Sequence, residues 1–149
     1  MENSPSLQLR EASLAELFWL HERIAEFPGK AALSFYEERL RHRLPLALVA
    51  LWDGELAGFK VGYQSELHEQ FYSWMGGVRP EFRRKGIATS LATEQERWAK
   101  EAGFRAVFFK TRNRFLGMIQ FGIKRGFKVV GLQPKGGVED YRILMRKEL

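Results

Sequence analysis

Hydrophobic positions change their spacing several times along the chain, and each change marks an element. Leu7 and Leu9 alternate with Gln8 and Arg10, which predicts a short strand over residues 7–10. From Leu14 the spacing becomes helical, with Leu14, Leu17, Phe18, Leu20 and Ile24 on one stripe. Ser13 precedes that stripe and Glu16 stands three residues on, the pairing of a capping box. Pro28-Gly29 stops the helix. A second helix is predicted from about Ala31 to His42, carrying Leu33, Tyr36 and Leu40, with Pro45 beyond its end. Residues 46–52 then form a continuous apolar run. Asp53-Gly54 is a hairpin signal, so that run and residues 55–63 are expected to pair as antiparallel strands.

A polar stretch over 64–70 leads into another strand at 71–78, interrupted by Gly76-Gly77. Paired glycines in a strand mark a bulge or the close approach of a ligand to the backbone. Pro80 and the run Arg83-Arg84-Lys85-Gly86 enter a helix over 87–102, with Ile87, Leu91 and Trp98 on one face and Gly103 at its end. A strand at 106–111, a helix at 115–124 with Met118, Ile119 and Ile123, a strand from Gly126-Phe127 to about Leu132, and a last strand at 141–145 complete the pattern. The order is β-α-α-β-β-β-α-β-α-β-β. It implies an α/β (α+β) chain with a mixed, mostly antiparallel central sheet and helices on both faces. No repeat or linker divides the 149 residues, so a single domain over 1–149 is expected.

Composition removes several chemistries. With 0 Cys there is no disulfide, thiolate nucleophile or cysteine-ligated metal. His21, His42 and His68 lie far apart and begin no ligand motif, so no metal is expected. Residues 1–13 carry no basic segment followed by an apolar one, and no stretch approaches the ~18 apolar residues of a membrane span. A cytoplasmic protein without membrane association is the expectation. The formal charge of +6 invites nucleic acid or an anionic small molecule, and its distribution is uneven. Between Arg79 and Lys128 there are 13 basic and 4 acidic residues, an excess of +9, whereas the remainder carries 11 and 14 and sums to −3. Nucleic-acid binders spread basic and aromatic residues over a surface. Here four charges cluster at a predicted helix start behind two glycines, which suits one compact diphosphate better.

The physical reason lies in that helix start. Its first amides have no intrahelical partner, the macrodipole adds partial positive charge, Gly86 permits close backbone approach, and Arg83, Arg84 and Lys85 add full charges; Thr89 can add a hydroxyl. The patterns of P-loop hydrolases and dinucleotide dehydrogenases are absent. The segment VRPEFRRKGIATSLATEQERWAK resembles the acyl-CoA pyrophosphate motif of the GNAT superfamily of N-acetyltransferases, [RQ]xxGx[GA], met by Arg83, Gly86 and Ala88. Lys124 to Phe127, KRGF, is similar to the superfamily's later kxxGF, and the resemblance runs from about Leu7 to Met145.

That resemblance implies acetyl-CoA as co-substrate and a primary amine, on a small molecule or peptide, as acceptor; it is also compatible with a homodimer. Gly76, Gly77 and Val78 would form the strand end beside pantetheine. The amides of Arg84, Lys85, Gly86, Ile87, Ala88 and Thr89 would hold the pyrophosphate with Arg83 beside it. Lys110, Arg112 and Arg114 stand as alternatives for the adenosine phosphate. Two positions depart from the family: Phe115 replaces the usual pantetheine-contacting Asn, with Asn113 two residues early, and Gly122 replaces the usual Tyr that protonates the leaving thiolate. Those departures keep open a protein that binds acyl-CoA without turnover.

In the absence of Cys, a direct attack in a ternary complex is expected, with an oxyanion donor at the backbone of 76–78. Glu66, His68 and Glu69 are candidates to accept the amine proton, and no one of them is singled out as the base. Ser73 and Tyr72 occupy opposite faces of their strand. Tyr36, Trp52 and Trp74 are candidate walls of an acceptor pocket.

Overall fold

The first helix starts as its sequence dictates. Ser13 Oγ accepts the Glu16 amide at 3.1 Å and the Glu16 carboxylate accepts the Ser13 amide at 2.9 Å, closing the capping box between β1 (Leu7–Glu11) and α1 (Leu14–Glu22). The computed structural model describes residues 6–24, 33–41, 43–67 and 69–149. Pro28-Gly29, the predicted helix start at Ala31 and its end at His42 lie outside them; α2 is described over Leu33–Leu40, with Tyr36 and Leu40 buried. The hairpin of β2 (Leu46–Trp52) and β3 (Glu55–Gln64) turns at Asp53 (φ +48°) and Gly54 (φ +84°), the two positive values that a type I′ turn needs.

The chain continues through β4 (Gln70–Val78), a short 3-10 turn over Pro80–Phe82, α3 (Ile87–Glu101), β5 (Ala106–Arg112), α4 (Leu116–Lys124), β6 (Lys128–Gln133) and β7 (Arg142–Glu148). Among the described residues the strands form one sheet in the order β1-β2-β3-β4-β5-β7-β6, and only the β4–β5 pair is parallel. This is the mixed, mostly antiparallel sheet expected. Side-chain alternation divides it into two cores. Leu48, Phe71, Val107, Phe109, Ile143 and Met145 pack beneath α3 and α4, while Val49, Phe59, Val61 and Tyr63 pack beneath α1 and α2.

Most boundaries move by a residue from the sequence reading, and three shifts have a visible cause. Phe115 caps α4 and is not its first turn. The sixth strand begins at Lys128, because Gly126 (φ +94°) ends α4 and Phe127 turns inward onto Phe109, ring centroids 4.9 Å apart. The last strand runs to Glu148 and not to Met145, since it lies between β5 and β6 and pairs as far as Ala106↔Glu148.

Two irregularities shape the middle of the sheet. β4 and β5 pair only at Gln70↔Ala106, Phe71↔Val107 and Tyr72↔Phe108, then diverge although both strands continue. The β3–β4 register passes from Gly62↔Ser73 to Val61↔Met75, so Trp74 is the extra residue of a bulge. The bulge expected at Gly76-Gly77 is therefore elsewhere; these glycines stay in register with Lys60 and Phe59. Gly62 explains its position. A Cβ there would lie 2.3 Å from the Tyr72 carbonyl oxygen and 2.5 Å from the Phe71 ring, so only glycine lets β4 close on β3 at this point.

Candidate active site

The divergence of β4 from β5 opens a cleft of ≈ 790 Å³ on the α3–α4 side of the sheet. Gly76, Gly77 and Val78 form one wall, Phe109, Gly117, Met118 and Phe121 another, and Arg83, Arg84, Gly86, Ile87, Ala88 and Thr89 the rim. Strand alternation orients the first wall. The Arg79 amide turns to Ala57 on β3, so the amides of Gly76 and Val78 face away from β3 toward the gap; the Val78 carbonyl accepts Arg83 Nε at 3.0 Å.

At the rim Arg84 (φ +62°) and Gly86 (φ +78°) are both left-handed, and Gly86 is the N-cap of α3 with no side-chain cap. The Ser90 amide bonds the Gly86 carbonyl and so opens the helical ladder, leaving the Ile87, Ala88 and Thr89 amides directed outward. Among the described residues nothing lies within 4 Å of a Cβ built on Gly86. Glycine is required here by backbone conformation, not by space. Ile87 contributes only its amide, because its side chain is in the core at 1% exposure. These features fit the diphosphate of coenzyme A: outward amide donors, two guanidinium groups, open space before them, and an unpaired strand edge for an amide-bearing chain.

Two predicted residues stand outside this cleft's lining. Lys85 places Nζ 5.1 Å from the Trp52 ring centroid, and Asn113 donates from Nδ2 to the Val138 carbonyl at 2.8 Å, tying down the segment before β7. Arg112 and Arg114 lie 3.7 and 2.7 Å from Asp140, leaving Lys110 as the member of that trio that lines the cleft. Part of the +9 segment is thus engaged in ion pairs away from the cleft. Arg97 pairs with Glu94 and Glu101 along α3, and Arg125 with Glu96 at 2.8 Å. Gly122 packs on the sheet, where a Cβ would meet Phe109 Cζ at 2.8 Å and Met145 Sδ at 3.2 Å; α4 has no room for a tyrosine there.

Sequence reasoning missed Lys60. It shares the α3 face of β3 with Gly58 and Gly62 and lines the cleft opposite Gly76. Burial pushes its ammonium from 10.5 down to about 8, the Glu96 carboxylate opposing that fall and Arg125 adding to it. Glu96 itself is engaged by Arg125 and Lys147. A lysine inside a strand of mixed apolar and glycine residues was the available signal.

On the other face of the sheet a second cleft of ≈ 630 Å³ is lined by Arg39, Arg43, Tyr63, Glu66, Tyr72, Phe108, Arg142 and Arg146, among others. Trp74 and Lys110 line both clefts, so the two meet where β4 and β5 part. Ser73 faces the first cleft and Tyr72 the second, as their alternation required. Of the loop candidates Glu66 lines the second cleft, Glu69 does not, and His68 is outside the described residues. Tyr36 is core rather than pocket wall: it is 0% exposed, with its hydroxyl 2.6 Å from His21 Nδ1, and burial holds its phenol well above the usual range while lowering His21. Trp52 packs at the edge of the other core.

The family model described as acetyltransferase (GNAT) family matches residues 11–127. No curated protein matches the sequence. Among solved structures, the ribosomal-protein-S18-alanine N-acetyltransferase of Escherichia coli superposes with a TM-score of 0.82 at 13% identity, covering 96% of this chain and 94% of that one. Ard1 of Thermoplasma volcanium gives 0.82 at 18%, covering 96% and 97%. A streptothricin acetyltransferase, so described, of Bacillus anthracis solved with acetyl coenzyme A gives 0.68 at 20%, covering 76% and 68%.

Proposed function

The chain belongs to the acetyltransferase (GNAT) family, and from that premise we propose that it moves an acetyl group from acetyl-CoA to a primary amine by direct attack in a ternary complex. The observation that carries this reading is the meeting of two clefts at one break in the sheet. One cleft has the donors for a diphosphate, the other has room for an acceptor, and the two are in contact at Trp74 and Lys110. Acetyl-CoA supplies an activated thioester; everything else falls to the chain.

The α3 amides with Arg83 and Arg84 hold the pyrophosphate. The Gly76 and Val78 amides pair with the pantetheine arm and offer a donor where charge develops on the thioester oxygen. The amine nitrogen forms its bond to the acyl carbon as the carbon–sulfur bond breaks, and the amine's proton leaves through Glu66 directly or through water. The departing sulfur needs a proton, and Lys60, with its ammonium brought to about 8, is a cleft group able to give one. This replaces the tyrosine that Gly122 excludes. Turnover thus has a donor, which favours an active enzyme over a silent binder.

A thermal-shift titration with acetyl-CoA tests the binding half. Free ligand at a hundred times Kd adds about 2.7 kcal/mol, a clear rise in midpoint, and no rise at millimolar acetyl-CoA refutes the reading. Thiol release across a panel of amines tests the transfer half.

A further inference from the structure

We infer that the acceptor is a small amine that carries carboxylate groups, bound in the second cleft by Arg39, Arg43, Arg142 and Arg146; this rests on the acetyltransferase reading. Charge is the first indication. Among the described residues the cleft is lined by five cations, these four and Lys110, against one carboxylate, Glu66. Several arginines elsewhere are matched: Arg10 by Glu16, Arg79 by Glu81, Arg97 by Glu94 and Glu101, Arg114 by Asp140, Arg125 by Glu96. In this cleft they are not. Among the described residues no carboxylate lies within 4 Å of Arg39, Arg43 or Arg142, and Arg146 has Glu148 at 3.7 Å while its buried Nε has no partner.

The guanidinium groups of Arg39 and Arg43 are also held in place. Arg39 donates to the Tyr63 hydroxyl at 3.1 Å with its Cζ 4.9 Å from the Trp74 ring centroid, and Arg43 Cζ lies 5.2 Å from that of Tyr63. Each keeps further N–H donors for a ligand. Arg142 and Arg146 rise from β7, across the cleft from α2, on the same side of the strand with Leu144 between them. Cations from α2, the turn after it and β7 around a cavity of small-molecule size match carboxylates, with which arginine forms paired hydrogen bonds. They oppose a polycationic acceptor such as a polyamine or an aminoglycoside. The four arginines lie outside the basic segment of the sequence, in the part whose sum is −3.

The test is titration calorimetry on the protein saturated with coenzyme A, with glutamate, the dipeptide aspartyl-glutamate, glutamine and spermidine as probes, repeated on Arg142→Gln and Arg43→Gln. At least one acid should bind tenfold or more tighter than glutamine, which has one carboxylate fewer than glutamate, and each variant should lose at least tenfold for that acid while keeping its affinity for coenzyme A. Whichever acid binds better tells a free amino acid from a peptide N-terminus. Binding by neither acid, tighter binding of spermidine, or acids held equally well by both variants overturns the inference. Thiol release from acetyl-CoA with the same four amines separates the two claims. An acid that binds and is never acetylated removes the transferase reading alone; preferential acetylation of spermidine removes the carboxylate inference alone.

Discussion

Lys60→Met removes a half-buried charge and keeps nearly the same volume, so its effect is set by the ammonium. Burial lowers that group from 10.5 to about 8 in the folded protein. The displacement corresponds to about 3 kcal/mol of penalty for the charged native form. Proton counting gives the sign. Between about pH 8 and 10.5 the unfolded chain binds the proton that the native protein has lost, so this group makes stability rise with pH through that window. Below pH 8 the whole penalty is present; above 10.5 it is gone. At pH 7 the methionine variant should therefore be more stable by about 3 kcal/mol, a midpoint roughly 6–12 °C higher for a chain of this size. Its advantage should shrink to near zero by pH 10.5. Melting curves followed by circular dichroism from pH 6 to 10.5 measure both effects. A variant that melts at the wild-type temperature at pH 7, or an advantage that is flat with pH, refutes the burial argument. Loss of thiol-release rate in the same stabilised variant would mark Lys60 as a group retained for chemistry at the expense of stability.

Gly86→Val forces a β-branched residue to φ +78° at the head of α3, and acetyl-CoA should lose its thermal shift while circular dichroism stays folded. Gly62→Ala drives a Cβ into the Tyr72 carbonyl at the bulge, where the neighbour is backbone; urea titration should show a loss of about 1–3 kcal/mol or more. Glu16 is held at about 2, first by its hydrogen bonds to Arg10 and further by the Ser13 amide, so the stability it contributes is present above about 4.5 and is lost as pH falls toward 2. Glu16→Ala should cost about 1 kcal/mol at pH 7, the usual scale for a capping contact beside a solvent-screened pair, and far less at pH 2, as read from melts at the two values.

Local chemistry was legible in the sequence wherever it is written within a few residues. Ser13 and Glu16 announced a cap, Asp53-Gly54 a tight hairpin turn, and Gly86 a helix entry open to close approach, because each is a contest between neighbouring backbone groups. The bulge was not. Gly76-Gly77 drew attention, yet the decisive glycine is Gly62, whose need arises from the approach of Tyr72 on another strand. Charge misled for a similar reason: the run from Arg79 to Lys128 reads as one basic site, but Glu94, Glu96, Glu101 and Asp140 take Arg97, Arg112, Arg114 and Arg125 into ion pairs away from it. The second cleft draws on α2, β3, β4, β5 and β7, whose outermost members Arg39 and Arg146 are 107 residues apart in the chain, and no local pattern reveals it. Tyr36 shows the converse, an aromatic at helical spacing that simply fills the core with His21 as its polar partner.

The short seam between β4 and β5 also divides the molecule mechanically. On one side lies a meander, β1 through β4, in which each strand pairs with the next in sequence; on the other, β5, β7 and β6 form their own three-stranded unit. Such units open with their own free energies, and amide exchange should find the slowest protons within each half and faster ones along the seam. A molecule lying between the strands bridges two cooperative units that share few rungs of their own. Ligand binding and the cohesion of the sheet then become a single equilibrium, in which the substrate serves as the missing part of the fold.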